Sequence, residues 1–224
     1  MQKIAVILYG PPGTGKSTQA RFLSAKLDLF LSDTGRYLDA LVHDEKNQKN
    51  KTIRRERELY DSGKLMTPSF VLRVVEQRVR RIAKTDSSLI LSGSPRTLYE
   101  AEGLLPVLAK EYGRKNVYVF VLDVSKAVSI KRNGLRYLCR VCGAPLLAQY
   151  YPSKHPKHCP VCGGPLYKRT DDKPELLATR LEQYENRTKP IFSFMKKKGY
   201  RIIHIDGRPA PFKLFRTIYG HIEK

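Results

Sequence analysis

Gly10-Pro-Pro-Gly-Thr-Gly-Lys-Ser17 is the stretch from which the rest of the chain can be read. It fits G-x-x-x-x-G-K-[ST] and follows Ile4 to Tyr9, a short apolar run that predicts a buried strand. Gly10, Gly13 and Gly15 let the backbone curl with its N–H groups turned inward, which makes a concave nest for phosphate oxygens. Lys16-Ser-Thr-Gln-Ala-Arg-Phe-Leu is good helix material, so a helix N-terminus adds its positive dipole end. In this frame Lys16 reaches the β- and γ-phosphates and the Ser17 hydroxyl ligates Mg²⁺, with Thr14 and Thr18 beside them. A Gly/Pro-rich turn that matches by chance is the plain alternative. The strand before and the helix after favour nucleotide phosphate binding.

Outward from the loop, strand–helix alternation continues to the C-terminus. Leu29–Asp33 predicts a second strand, and Thr34 caps the helix that follows. Asp44 to Tyr60 is strongly polar and reads as an exposed helix or a small mobile segment, not core. Val71, Leu72, Val75 and Val79 recur at helical spacing between about Ser69 and Ala83, a core-facing stripe. Leu89–Leu91 is a third strand, and the polar Ser92-Gly-Ser-Pro-Arg-Thr97 at its end lies where open α/β sheets place ligands. Val117–Leu122 is a fourth strand, followed by a helix with Arg132 that leads to Arg136. One long helix from about Pro174 to Lys197, a fifth strand at Arg201–Asp206 and a closing helix from Pro211 to about Ile222 complete the chain. The expected class is α/β: a P-loop fold with a five-stranded parallel sheet covered by helices on both faces.

A length of 224 residues suits one such domain with small insertions. Hydrophobic content of 41% and charged content of 28% are those of a globular chain, and nothing approaches a membrane span of about 20 apolar residues. The apolar run at the N-terminus is too short for a signal peptide, so a cytoplasmic protein is expected. Lys and Arg outnumber Asp and Glu by 42 to 21, a formal charge of +21 that attracts polyanions. The basic residues are spread along the chain, with Lys196-Lys-Lys198 as the one compact run. That reads as a solvated basic surface more than a dedicated nucleic-acid interface.

All four cysteines fall between residues 138 and 170 as Cys139-Arg-Val-Cys142-Gly and Cys159-Pro-Val-Cys162-Gly. The pattern C-x₂-C-x₁₆-C-x₂-C has zinc-ribbon spacing, and a glycine after each pair lets backbone amides turn toward the sulfurs. Four thiolates close a tetrahedral shell and leave no open position for a catalytic water, which makes the expected zinc structural. Two disulfides or free thiols are the alternatives. His155 and His158 are not needed as ligands.

These motifs together resemble the adenylate kinases whose lid carries a zinc knuckle. The resemblance covers the phosphate loop, Asp33-Thr-Gly35, Gly63-Lys-Leu65, Gly93-Ser-Pro-Arg-Thr97, Arg132, Arg136, the cysteine quartet, Arg169-Thr-Asp-Asp172, Arg180 and Asp206-Gly207, all in family order. It implies a core of residues 1–33, 69–137 and 171–224, a monophosphate-binding segment at 34–68 and a zinc-binding lid at 138–170. The implied reaction moves a phosphoryl group between ATP and a nucleoside monophosphate, AMP in first place, with Mg²⁺ and structural Zn²⁺. It implies Arg96 on the acceptor phosphate, Arg136, Arg169 and Arg180 with Lys16 around the transferred group, and Arg132 stacked on the donor base. Thr34, Gly35, Arg36, Lys64, Leu65, Met66, Gly93 and residue 100 line the acceptor, and Asp171 and Asp172 anchor the lid arginines. Planar, permanently charged guanidinium forks suit this work. Small nucleotides are the expected partners, with no membrane, and the protein is expected to be a monomer.

Three departures stand out. Asp39 occupies a position where the family has a phosphate-binding arginine, and Arg36 is the candidate substitute. Ser92 stands where the family has an aspartate near Mg²⁺, a role Asp33 could take over. Glu100 replaces a glutamine expected to read the acceptor adenine. An ionised carboxylate only accepts, so N1 of adenine would lack a donor, and guanine, with its N1–H and N2 amine, competes as the acceptor base. CMP or UMP, a P-loop protein that binds RNA or DNA through the ribbon, and a catalytically silent nucleotide sensor are the remaining readings.

Overall fold

Strand β1 (Ala5–Tyr9) is buried along its whole length because both of its faces are covered. Ala5, Ile7 and Tyr9 enter one hydrophobic layer while Val6 and Leu8 enter the other. The computed structural model describes residues 3–151, 156–168 and 172–223 of the chain. After β1 come α1 (Lys16–Leu27), β2 (Phe30–Asp33), α2 (Thr34–His43), α3 (Lys51–Asp61), α4 (Pro68–Ala83) and β3 (Leu89–Ser92). Then follow α5 (Leu98–Tyr112), β4 (Val117–Asp123) and α6 (Lys126–Gly134). A small sheet of β5 (Arg136–Cys139), β6 (Pro145–Leu147) and β7 (Leu166–Tyr167) precedes α7 (Pro174–Gln183), α8 (Pro190–Lys197), β8 (Ile202–Asp206) and α9 (Pro211–Ile222).

The main sheet has five parallel strands, as the sequence predicts, and the structure sets their order as β2-β3-β1-β4-β8. From β1 the chain moves outward to β2 and β3, then crosses back to β4 on the other side. This reversal opens a crevice at the C-terminal end of β1, and the glycine loop lies in it. Helices α4, α5 and α8 pack on the face that includes Ile7 and Val119, and α1 and α9 pack on the face that includes Leu8 and Phe120.

Three sequence expectations are revised. The polar segment after Asp44 is not all exterior: α3 buries Ile53 and Glu56, and Glu56 Oε2 accepts from the Thr67 amide at 2.7 Å. The long helix of 174–197 is two helices joined by a π-type turn at Tyr184–Thr188. Pro190 has no N–H with which to continue an α-helical ladder, and Lys189 N reaches back five residues to Tyr184 O at 3.0 Å. The cysteine-bearing insertion is an antiparallel sheet, with β5 paired to β6 and to β7, and it starts at Arg136.

Candidate active site

A cavity of about 170 Å³ lies over the C-terminal ends of β1 and β3, and a smaller one of about 40 Å³ adjoins it. Gly35, Lys64, Gly93 and Arg96 line both, so two ligands bound there would meet at these residues.

The larger cavity is floored by the glycine loop. Gly10, Gly13 and Gly15 all have positive φ. Gly13 also has no room for a side chain, since a Cβ would fall 2.5 Å from Asn133 Nδ2 and 2.9 Å from the Ser129 carbonyl. The loop is thereby seated on α6, where Ser129 Oγ donates to Pro12 O at 2.6 Å. Lys16 opens α1, and its Nζ donates to the carbonyls of Gly10 at 2.7 Å and Pro11 at 2.8 Å. Burial holds its ammonium well below the usual lysine range, and the positive charges of Arg96, Arg180 and Arg136 push in the same direction. Ser17 and Thr18 face the same cavity, whereas Thr14 is buried and bonds Pro11 O within the loop.

Ser17 Oγ donates to Asp33 Oδ2 at 3.0 Å, while Asp33 Oδ1 accepts from the Arg36 amide and caps α2, so the cap is Asp33 and not Thr34, which is the first residue of the helix. A hydroxyl beside a carboxylate is the hard-oxygen donor set that suits Mg²⁺. Asp33 pairs in register with Ser92 of β3, which puts the carboxylate next to the serine that departs from the family pattern.

The arginines that line the larger cavity come from three different places in the chain. Arg96 is held by its own Nε donating to Gly93 O at 2.7 Å and by Thr188 Oγ1 donating to Arg96 O at 3.0 Å. Thr188 lies in the π-type turn, so that widening has a direct contact at the site. Arg136 at the start of β5 makes a two-pronged contact with Asp172, Nε to Oδ2 at 2.9 Å and Nη2 to Oδ1 at 2.5 Å. Arg180 on α7 reaches the same Oδ1 at 3.5 Å, and the Asp172 side chain is only 6% exposed. One carboxylate thus orients two arginines that line the cavity. Arg169 and Asp171 lie outside the described residues.

Two expected residues stand elsewhere. Arg132 is buried, and its Nη1 and Nη2 donate to the Gly207 and Arg208 carbonyls at 2.7 and 2.8 Å. It ties α6 to the turn after β8 and lines neither cavity. Arg36 also lines neither. Thr34, Leu38 and Val42 form the buried face of α2, and a residue two positions past Thr34 is turned some 200° from it. Its guanidinium lies instead against Gly143 of the cysteine turn, so close that a Cβ there would fall 1.8 Å from Nη1. Arg21 of α1 reaches the same turn, donating from Nη1 to Cys142 O at 3.2 Å. Asp39 does not threaten an acceptor phosphate, because its carboxylate pairs with His43 at 3.0 Å, outside both cavities.

The smaller cavity is lined by Thr34, Gly35, Lys64, Leu65, Met66, Gly93, Ser94 and Glu100, among others. Glu100 is 3% exposed. Its Oε2 accepts from the Arg96 amide at 2.8 Å and its Oε1 from Thr97 Oγ1 at 3.0 Å, while Thr97 Oγ1 accepts from the Glu100 amide. Thr97 thus caps α5, and Glu100 reaches back past the cap to the Arg96 amide, a variant of the capping box whose pattern Thr97-x-x-Glu100 is legible in the sequence. Burial pushes the carboxyl up, opposed by the bonds from Arg96 and Thr97 and by the charges of Arg96 and Arg187. Thr188, Tyr184 and Leu147 carried no sequence signal, since they reach the site by tertiary placement alone, and Ser94 was marked only as part of the polar loop after β3.

The four cysteines converge as their spacing predicts. All four Sγ atoms lie within 4.8 Å of one another, with Cys139 to Cys162 at 3.5 Å and Cys142 to Cys159 at 3.7 Å, and all are free of disulfides. A tetrahedron with Zn–S bonds of about 2.3 Å has edges of about 3.8 Å, so the quartet fits zinc. Amides of Val141 and Val161 point at Cys139 and Cys159 Sγ, both at 3.4 Å. Burial raises the Cys139 thiol, but the amides of Cys142 and Val141 and the neighbouring thiols outweigh it and bring it down to about 6.

The sequence model for adenylate kinase matches residues 8–200. The chain belongs to the adenylate kinase family. It is 36% identical over 194 residues to an adenylate kinase of Caldicellulosiruptor saccharolyticus, covering 87% of each chain. It is 33% identical over 219 residues to an adenylate kinase of Archaeoglobus fulgidus, covering 98% of each, and 34% identical to one from Methanocella arvoryzae over 97% of this chain. Membership accounts for the paired cavities of this adenylate kinase fold, one beside the glycine loop and one beside α2 and α5. No helix among the described residues is long and apolar enough to cross a membrane.

Proposed function

We propose that the protein catalyses reversible transfer of the γ-phosphoryl group of Mg²⁺-bound ATP to AMP, giving two ADP. The observation that carries this is the junction of the two cavities. Arg96 and Lys64 line both cavities, and Lys16, Arg136 and Arg180 line the larger one with them, so cationic side chains run from the phosphate loop to the edge of a second pocket.

The reaction breaks the bond between the γ-phosphorus and its bridging oxygen and forms one to an oxygen of the acceptor phosphate. Such a transfer leaves the protein little covalent work beyond positioning and charge neutralisation. The glycine loop and Lys16 hold the donor phosphates. Arg96 and Lys64 stand at the acceptor phosphate, and Arg136 and Arg180, oriented by Asp172, gather the migrating group. Mg²⁺, when bound at Ser17 with Asp33 behind it, neutralises phosphate charge. Arg169 and Asp171 keep their assignments from the family pattern. Segment 34–68 acts as the acceptor arm and 138–170 as the lid, and Pro145 and Leu147 of that lid already line the larger cavity. Closure keeps water from accepting the phosphoryl group.

The knuckle holds a structural zinc, the protein works as a cytoplasmic monomer, and its +21 charge serves as a solvated surface without a dedicated nucleic-acid partner. Arg132 frames the donor-base end through its backbone contacts. The test is a coupled assay of ATP and Mg²⁺ with AMP, GMP, CMP and UMP in parallel. Turnover with AMP above the others is expected. A preference for GMP or a pyrimidine would overturn the acceptor assignment, and no turnover with any would overturn the kinase reading.

A further inference from the structure

Two residues that line the acceptor cavity carry buried hydroxyls without partners. Ser94 Oγ and Thr34 Oγ1 have no hydrogen-bond partner among the described residues, although their residues are only 1% and 3% exposed. A buried hydroxyl without a bond is costly, by about 1–3 kcal/mol, so such groups in a ligand cavity mark places where a ligand completes the bonding. Both line the same cavity as Glu100.

Glu100 by itself is half of an adenine reader. Each of its oxygens already accepts one bond, from the Arg96 amide and from Thr97, and each retains one free acceptor site. It can therefore take a bond from the N6 amine but, when ionised, offers nothing to N1. A serine hydroxyl is a donor as well as an acceptor. We propose that Ser94 is a specificity-determining residue of the acceptor site, its hydroxyl donating to N1 of the adenine while Glu100 accepts from the N6 amine. Two side chains on adjoining elements then divide the work that one amide would do alone. Ser94 follows β3 and Glu100 lies in the first turn of α5, so the two groups reach the pocket from one connection. This assignment rests on AMP being the acceptor.

The experiment pairs a protein change with a ligand change. Initial rates are measured for the full-length parent and for Ser94→Ala, each with AMP and with 1-deaza-AMP, in which a C–H replaces N1. Ser94→Gly serves as the second variant, and melting temperatures are recorded for all. The expected result is a rise of about five- to tenfold in the KM for AMP on losing the hydroxyl, and almost none for 1-deaza-AMP, the span of one hydrogen bond. Equal increases for both acceptors would mean a packing role and overturn the assignment. Unchanged KM values for AMP in both variants would overturn it too. A parent that uses GMP and not AMP overturns the acceptor reading itself and takes this assignment with it, an outcome visible before any variant is made.

Discussion

Glu100 has two tasks, capping α5 and facing the acceptor, and substitution separates them. In Glu100→Ala the Thr97 hydroxyl still caps the residue-100 amide but loses its own acceptor, Oε1 at 3.0 Å, a loss of about 1 kcal/mol. The Arg96 amide, bonded to Oε2 at 2.8 Å, is left without a partner in a buried setting, which adds about 1–3 kcal/mol. The sum is about 2–4 kcal/mol, or a melting temperature lower by about 4–16 °C for a chain of this size. Glu100→Gln keeps the shape, and its amide accepts from Arg96 and donates to Thr97, so it melts far closer to the parent.

The comparison of parent with Gln then isolates the charge. Burial raises the native carboxyl above the 4.5 of the unfolded chain. Above pH 4.5 the native state retains a proton that the unfolded chain has begun to release, so parent stability falls with rising pH until the native carboxyl has also ionised. The glutamine variant lacks this dependence. Denaturant melts of the three proteins from pH 4 to pH 8 are the assay. Expected is a Gln variant close to the parent at pH 4 and more stable than it at pH 8. A parent–Gln difference that stays flat over that range, or a Gln variant as weak as Ala, refutes the reasoning.

Other expectations concern the lid. Asp172→Asn removes the charge that orients Arg136 and Arg180, and kcat should fall by about ten- to a hundredfold, as read in the coupled assay with Arg136→Lys as comparison. Cys142→Ser should lower the melting temperature while leaving kcat near parental at moderate temperature, because the knuckle's own core is little more than Cys139, Ala144, Cys159, Cys142 and Leu166. Equal melting temperatures would contradict a structural metal. Arg21→Ala and Arg36→Ala release the cysteine turn from α1 and α2. Amide exchange at residues 139–144 should accelerate and the KM for ATP should rise about two- to fivefold, whereas a rise in the KM for AMP alone would return Arg36 to the acceptor phosphate.

Local chemistry was enough to read the phosphate loop, the cysteine quartet and the existence of five strands. Glycines that need positive φ, a lysine and serine at fixed offsets, and thiols in C-x₂-C pairs carry their geometry within a few residues of backbone. The central strands β1, β3 and β4 were visible because a strand covered on both faces is mostly apolar, whereas the edge strands β2 and β8 are partly exposed and carry polar residues. What the sequence left open depends on where side chains end after packing. Arg36 and Arg132 read as ligand-binding arginines, but helix phase turns the first onto the Cys142–Gly143 turn and the second is spent on the carbonyls of residues 207 and 208. Asp39 looked repulsive until His43, one turn on, was seen to hold it. Ser94 is an ordinary loop serine on the page. Only the tertiary structure buries its hydroxyl at the cavity that Glu100 also lines, and a polar atom becomes informative when burial removes the water that would otherwise have satisfied it.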